Sequence, residues 1–302
     1  MAIKIIKRGI ADTIQDQGRY GFQHLGIQVN GCIDYLSAQL ANALVGNPLD
    51  YPVFELYFPA SSFCFTSNYI ICITGANLVP IINEKSVELN TPIHVNANDV
   101  LQFLQPIEGS FAYLSIQGRI NAPHWLESQS FANTTLQKDN IYDIIPLTKA
   151  EVGNYPIDKA FIGTVQTTIF SPAPIRFIPG PAWNDLTEEA LNNLLTKPFF
   201  TTLQTNRMGY LLKGPSLNLT KPNQYLSAAV TRGTLQLLPN GSLIVLMANH
   251  QTIGGYANLG QIILVDLPRF AQLKNDSSFH FSLTNVNTAH QLYQQIQQGF
   301  NH

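Results

Sequence analysis

The 302-residue chain is long enough for two ordinary domains or one large one. Its net charge of -2, without any Lys/Arg run, excludes the basic patch that marks nucleic-acid binding. Only 12% of its residues are charged, against about 25% in an average domain, so Asn, Gln, Ser and Thr carry much of the polarity, which suits a chain rich in strands and turns or one that buries surface against partners.

The cysteines Cys32, Cys64 and Cys72 form no C-x-x-C pair and predict neither a disulfide framework nor a zinc site. The segment Met1 to Lys7 lacks the apolar core and cleavage site of a signal peptide. No run of about 18 apolar residues occurs, so no transmembrane helix and a cytoplasmic location are expected.

Ala2 to Lys7 reads as a strand, followed by a polar loop from Asp12 to Gly21. After the Asn30-Gly31 turn, Asp34 fits a helix N-cap, and Leu36, Leu40, Ala43 and Leu44 recur at helical spacing until Gly46 and Pro48 stop them. Short strands are predicted at Val53 to Phe58, Ser62 to Phe65, Tyr69 to Thr74, Leu78 to Ile82, Val100 to Leu104 and Phe111 to Ile116. Many short strands at regular spacing suggest a sandwich or barrel.

Gly118 to Thr167 is less regular, includes Asn133-Thr134-Thr135, and is expected to end in a connection between two halves. The second half starts with a strand at Ile175 to Ile178. Asp185 with Glu188 has capping-box character for a helix reaching Thr196. Strands at Phe199 to Thr205, Gly233 to Leu238, Ser242 to Leu246, Gln261 to Val265 and Phe279 to Leu283 follow, with an Asn240-Gly241 hairpin turn among them. A short helix at Asp266 to Leu273 and a terminal one at Thr288 to Phe300 complete the expectation. The predicted organisation is an N-terminal β domain over 1–150, a linker over 151–172 and a C-terminal β domain over 173–302.

Four clusters pair hydrogen-bonding side chains with glycine beside strand ends: Gln15, Asp16, Gly18 and Arg19; Gly31 and Asp34; Arg207, Met208, Gly209 and Tyr210; and Gln236, His250, Gln251, Gly254, Gly255 and Tyr256. Guanidinium binds carboxylate or phosphate through paired hydrogen bonds, so Arg19 is read either as a ligand contact or as a loop-holding partner of Asp16. Arg207 has no charged sequence neighbour, which points to ligand or phosphate contact. Asp34 reads as a helix cap rather than a base. His250 is the best histidine for proton transfer, with a satisfied structural histidine as the other reading. No Walker-type loop, G-x-G-x-x-G, G-x-S-x-G or H-E-x-x-H run is present, and no metal site is expected.

Taken in order, these runs resemble a known family. Thr13 to Arg19, Asn30 to Asp34, Ala41 to Asn47, Glu55 and Thr74-Gly75-Ala76 match its N-terminal half. Arg207 to Tyr210, Gly233 to Gln236 and His250 to Tyr256 match its C-terminal half. The family is the biotin-dependent carboxyltransferase-like group, also called allophanate hydrolase subunit 2, which includes the C subunit of bacterial ATP-dependent 5-oxoprolinase. The resemblance implies a mainly β fold of two cyclophilin-like β-barrel domains with a few short helices. It implies work with partner subunits A and B, converting 5-oxo-L-proline, a lactam, to L-glutamate with ATP. Other relatives imply the alternatives, a biotin-dependent carboxyltransferase acting on urea or a related amide, and a non-enzymatic antagonist of a kinase inhibitor.

On this chain, catalytic roles are expected of Arg207, His250 and Gln251. Substrate contact is expected of Gln15, Asp16, Arg19, Asp34, Tyr210, Gln236, Gly254, Gly255 and Tyr256. ATP is the expected cofactor, with its subunit left open; biotin belongs to the alternative alone. A homo-oligomer is left open, and neither nucleic acid nor membrane is an expected partner. Three positions depart from the family pattern: Leu211 and Gln129 stand where relatives carry arginine, and Arg119 stands where they often carry glycine.

Overall fold

The computed structural model describes residues 2–131, 135–221 and 224–301; Asn133 and Thr134 lie outside them. The chain divides into two compact units. One comprises Met1–Arg19, Asn30–Thr167 and Gln297–His302; the other comprises Tyr20–Val29 and Thr168–Ile296.

The first unit carries β1 (Ala2–Lys7), β2 (Thr13–Gln15), α1 (Tyr35–Leu44), β3 (Val53–Tyr57), β4 (Ser62–Phe65), β5 (Tyr69–Asn77), β6 (Pro80–Ile82), β7 (Lys85–Ser86), β8 (Ile93–Val95), β9 (Val100–Phe103), β10 (Glu108–Ile116), β11 (Arg119–Ile120), β12 (Ile141–Ile145) and most of α2 (Lys159–Phe170). Its strands form two sheets, in the orders β11-β12-β1-β4-β9-β6-β7 and β2-β3-β10-β5-β8. Ile3, Ile5, Phe63 and Phe65 of one sheet and Phe54, Ile71, Ile73 and Leu114 of the other belong to one buried core. Phe54 and Phe63 meet at 5.2 Å between ring centroids.

Helix α1 begins as its sequence dictates. The Asp34 carboxylate accepts the Ser37 backbone N–H at 3.0 Å and the Ser37 hydroxyl at 2.6 Å, which satisfies a donor that the first turn leaves open. Asn42, Asn47 and Ser115 form a buried amide network behind the helix. Ser115 donates to Asn42 Oδ1 at 2.6 Å, and Asn47 donates to the Ile116 carbonyl at 2.8 Å. The Ala41 to Asn47 run is therefore scaffold. The 151–172 stretch, expected as a connection, contains α2.

Asp12 is buried and accepts the backbone N–H groups of Tyr57 and Ser61. Burial outweighs these bonds and raises its pKa from 3.8 to about 6. The native state therefore binds more protons than the unfolded chain between those values. This group's contribution to stability is fully present at low pH and declines as pH rises from about 4 to 6, by about 3 kcal/mol at most. Urea unfolding from pH 4 to 7 checks this: Asp12→Asn should remove that decline, and an identical slope in both proteins would contradict it.

The second unit carries β13 (Ile175–Pro179), α3 (Glu188–Thr196), β14 (Phe199–Thr205), β15 (Gly209–Lys213), β16 (Ala228–Ala229), β17 (Thr234–Leu237), β18 (Leu243–Leu246), β19 (Ile253–Gly254), β20 (Ala257–Ile262), α4 (Leu267–Ala271), β21 (Ser278–Phe279), β22 (Phe281–Leu283) and most of α5 (Val286–Asn301). Eight strands run in the order β21-β14-β15-β18-β17-β20-β13-β22. The two outer members of that order are one continuous chain, separated only by His280. Phe279 pairs with Phe199 on one side, and Phe281 pairs with Ile175 on the other. The sheet thus closes on itself, which removes exposed strand edges. A separate two-stranded ribbon joins β16 to β19.

The predicted strand at Gln261 to Val265 is displaced. The strand is β20, ending at Ile262, and Leu264–Asp266 form a 3-10 turn. The cap of α3 is Thr187, whose hydroxyl accepts the Ala190 N–H at 3.2 Å. Asp185 lies in a preceding 3-10 turn and accepts the Tyr225 hydroxyl at 2.8 Å instead.

Candidate functional site

In the first unit, Asp16 organises its surroundings. Its Oδ1 accepts the Gly18 N–H at 2.8 Å and the hydroxyls of Ser128 and Ser130 at 2.8 and 2.6 Å, and its Oδ2 accepts the Gln129 N–H. Its carbonyl accepts the Cys32 N–H at 2.9 Å. Gly31 makes this approach possible: at φ +89 it is left-handed, and a Cβ there would lie 2.8 Å from the Gln17 carbonyl oxygen.

Arg19 is buried beside this cluster and donates to the carbonyls of Trp125 at 3.0 Å and Ser130 at 2.9 Å. Its guanidinium lies 4.7 Å from the Trp125 ring centroid and 5.4 Å from that of Phe131. Burial lowers its pKa, and the Asp16 charge opposes that. Of the two readings of Arg19, ligand contact or loop holding, the geometry shows the guanidinium clamping backbone carbonyls between two rings. Asp16 and Asp34 are likewise committed, to loop donors and to the α1 cap. The Gln15 amide donates to Thr13 and to the Phe131 carbonyl, while its buried Oε1 has no partner among the described residues. Gln129 donates to the carbonyls of Ile120 and Ala122 at 3.0 and 2.9 Å.

Sequence reasoning missed Tyr113, Ser128 and Ser130. The buried Tyr113 hydroxyl accepts the Asp34 N–H at 2.7 Å and donates to Glu55 at 2.9 Å. Burial and the neighbouring carboxylates push its pKa well up, which keeps it a neutral donor. Nothing local distinguishes these residues; their partners Asp34, Glu55 and Asp16 lie 58 to 114 positions away along the chain.

In the second unit, Arg207 sits in the turn between β14 and β15. Asn206 Oδ1 accepts the N–H groups of Met208 and Gly209 at 2.8 and 3.3 Å, which shapes that turn. Arg207 Nε donates to Asn249 Oδ1 at 3.3 Å, and the Asn249 N–H donates to the Arg207 carbonyl at 2.7 Å. Gln28 donates to the Asn249 carbonyl at 2.8 Å. Asn249, a residue the sequence reading passed over, therefore ties the Arg207 turn to the start of the glycine loop.

His250 follows, buried, with Nδ1 2.6 Å from the Gln251 carbonyl. A carbonyl only accepts, so Nδ1 carries the proton and Nε2 the lone pair of the neutral ring. Burial lowers the pKa of His250, and nearby Arg232 adds to that. Further along the loop, Gly254 lies against Gln236: a Cβ on Gly254 would come 2.5 Å from Gln236 Nε2. Gly255 and Tyr256 line a cleft of about 740 Å³ with Leu219, Tyr225, Leu237 and Asn240. The stretch from Asn249 to Tyr256 thus meets the Arg207 turn at Asn249 and Gln236 of β17 at Gly254. The Tyr210 ring packs 5.3 Å from Phe270 in the core, and its hydroxyl donates to the Ala271 carbonyl at 3.2 Å. Its ring and hydroxyl are thus both engaged in the core.

Among the described residues, no group of three or more His, Cys, Asp or Glu side chains is placed to hold a metal, and no helix is long and apolar enough to cross a membrane.

Comparison with known proteins adds the lineage. The chain is 29% identical to the 5-oxoprolinase C subunit of Escherichia coli over 99% of its length and 96% of that protein. It is 28% identical to the 5-oxoprolinase C subunit of Haemophilus influenzae, over 93% of this chain and 90% of the relative. The crystal structure of K. lactis urea amidolyase superposes with a TM-score of 0.90 at 21% identity, over 99% of this chain and 20% of that one. The fold is mainly β, with cyclophilin-like barrel domains and few helices. The family model described as carboxyltransferase domain, subdomain A and B, matches residues 25–283, and the chain belongs to that family.

Proposed function

We propose that this chain is the C subunit of an ATP-dependent 5-oxoprolinase and acts with partner subunits A and B. The observation that carries this reading is the end-to-end match to two proteins of that name. When bound, ATP would supply the phosphoryl group that activates the unreactive lactam carbonyl, and the subunit that holds it is left open. The residues of this chain orient the lactam and manage charge and protons. Arg207, held by Asn249, meets developing negative charge, as a preorganised donor does. Gln251 and the Gly254-Gly255 backbone supply further polar groups at the same loop. His250, neutral with its lone pair on Nε2, takes the proton of the water that adds to the activated carbonyl carbon and returns it to the ring nitrogen as the C–N bond breaks. A second water releases the phosphoryl group from the resulting acyl phosphate as inorganic phosphate. Because burial lowers its pKa, this base stays unprotonated below its ordinary value of 6.5.

Reconstitution tests the assignment. ATP hydrolysis and glutamate formation are measured with 5-oxoproline, this chain and subunits A and B, omitting each in turn. Loss of glutamate when this chain is left out is the expected result; unchanged turnover would overturn it. The family description favours a second reading, carboxyl transfer from biotin on another protein to an amide such as urea. Avidin sensitivity of the activity would select that reading.

A further inference from the structure

The Gln236 side chain is buried, yet neither its Oε1 nor its Nε2 has a hydrogen-bond partner among the described residues. Exchanging the two atoms, which look alike in many structures, leaves that statement unchanged. An unmatched buried amide is costly, and a buried water or a bound ligand is what can satisfy it.

Its position favours a ligand. Gln236 lies on β17, directly opposite Asn258 of β20, where the register between Leu235 and Gln236 shifts. Such bulges concentrate beside sites, where they re-aim side chains. Opposed residues of an antiparallel pair project from the same face, and the buried Asn258 Oδ1 is also without a partner among the described residues. Above the amide lies Gly254, where a side chain would occupy the space. The covering β16–β19 ribbon holds only two residue pairs, Ala228 with Gly254 and Ala229 with Ile253. Ala228, Ala229 and Ile253 are exposed, so raising the ribbon breaks few contacts.

From this we infer that Gln236 is the specificity residue for a cis-amide edge, pairing its carboxamide with the adjacent N–H and C=O of a small lactam or urea. A primary carboxamide offers a donor and an acceptor side by side in one plane. The complement is an acceptor and a donor side by side. A five-membered lactam has this edge because its ring forces the amide cis, and urea has it by symmetry. A trans peptide bond points the two groups in opposite directions and fails. The inference rests on the reading of the glycine loop as an amide site and names what that site recognises.

Binding of 2-pyrrolidinone, N-methyl-2-pyrrolidinone and urea to the full chain, followed by saturation-transfer NMR, tests it without any turnover. Wild type should bind 2-pyrrolidinone or urea about tenfold or more tightly than N-methyl-2-pyrrolidinone, which lacks the donor. The tighter of the two names the source of the amide. Gln236→Met should lose that binding while its melting temperature does not fall, since an unmatched amide is removed from the interior. Equal binding of the N-methyl compound, binding unchanged in Gln236→Met, or no binding of any probe would overturn the inference. The wild-type comparison stands even if the variant fails to fold. The omission experiment judges the oxoprolinase reading separately, so Gln236 can fail while the oxoprolinase assignment survives.

Discussion

Replacing Asp266 by alanine is expected to destabilise the protein by about 3–5 kcal/mol, a large part of the 5–15 kcal/mol that holds a typical domain. Asp266 has no exposed surface and serves two arginines. Its Oδ2 accepts the Arg176 backbone N–H at 2.8 Å and Arg176 Nε at 2.9 Å, while its Oδ1 accepts Arg176 Nη2 at 2.6 Å. Arg269 Nη2 stands 3.6 Å from the same Oδ1. The two arginines respond in opposite directions. Hydrogen bonding to Asp266 raises the pKa of Arg176, whereas burial lowers that of Arg269 despite the shared carboxylate. Arg269 is the more buried and donates to the carbonyls of Thr168, Ala173 and Pro174, so it has little access to water. Removing the carboxylate leaves its charge uncompensated in the interior. Asp266→Asn keeps the acceptor oxygen but not the charge and should fall between alanine and wild type. Denaturant midpoints for the three proteins measure this; an unshifted midpoint for alanine would mean that the arginines find other partners.

Much of the scaffold was legible because its signals are local. Asp34 caps α1, Ser62–Phe65 and Phe199–Thr205 form the expected strands, and Asn240-Gly241 turns the chain between β17 and β18 with Gly241 at φ +81. Helix α2 was not legible: Gly163 and the β-branched residues Ile162, Thr164, Val165, Thr167, Thr168 and Ile169 weaken its propensity, and its stability comes from packing such as that of Phe161 on Phe300, 4.9 Å between ring centroids. The site residues divide in the same way. His250 and Gly254 share one stretch of sequence, and Gly254 meets Gln236 of β17. Asp16 and Arg19 looked equally suited to a ligand, because a polar residue beside a glycine reads alike whether its partner is a substrate or a distant strand. Only folding places Ser128 to Ser130 against them. Tyr210 was grouped with Arg207 and Gly209 from their spacing alone, and its packing is set by Phe270 and Ala271, the latter 61 positions away.

Under the proposed 5-oxoprolinase reading, Arg207→Ala is expected to lower kcat of the assembled enzyme on 5-oxoproline by about 10²–10³, the effect of losing one preorganised donor to a charged transition state. KM should change little, since a group that meets charge appearing during reaction contributes little to ground-state binding. Arg207 also reaches Asn249, so the substitution has a structural component that must be separated. Asn249→Ala removes the tether but keeps the guanidinium; it should reduce kcat less and act through looser positioning. Arg207→Lys retains the charge but not the Nε–H that meets Asn249 Oδ1, and should recover only part of the lost rate. Equal melting temperatures for Arg207→Ala and wild type would assign the kinetic loss to chemistry rather than folding. A variant that turns over normally would remove Arg207 from the mechanism, and the charge stabilisation would then pass to the partner subunits.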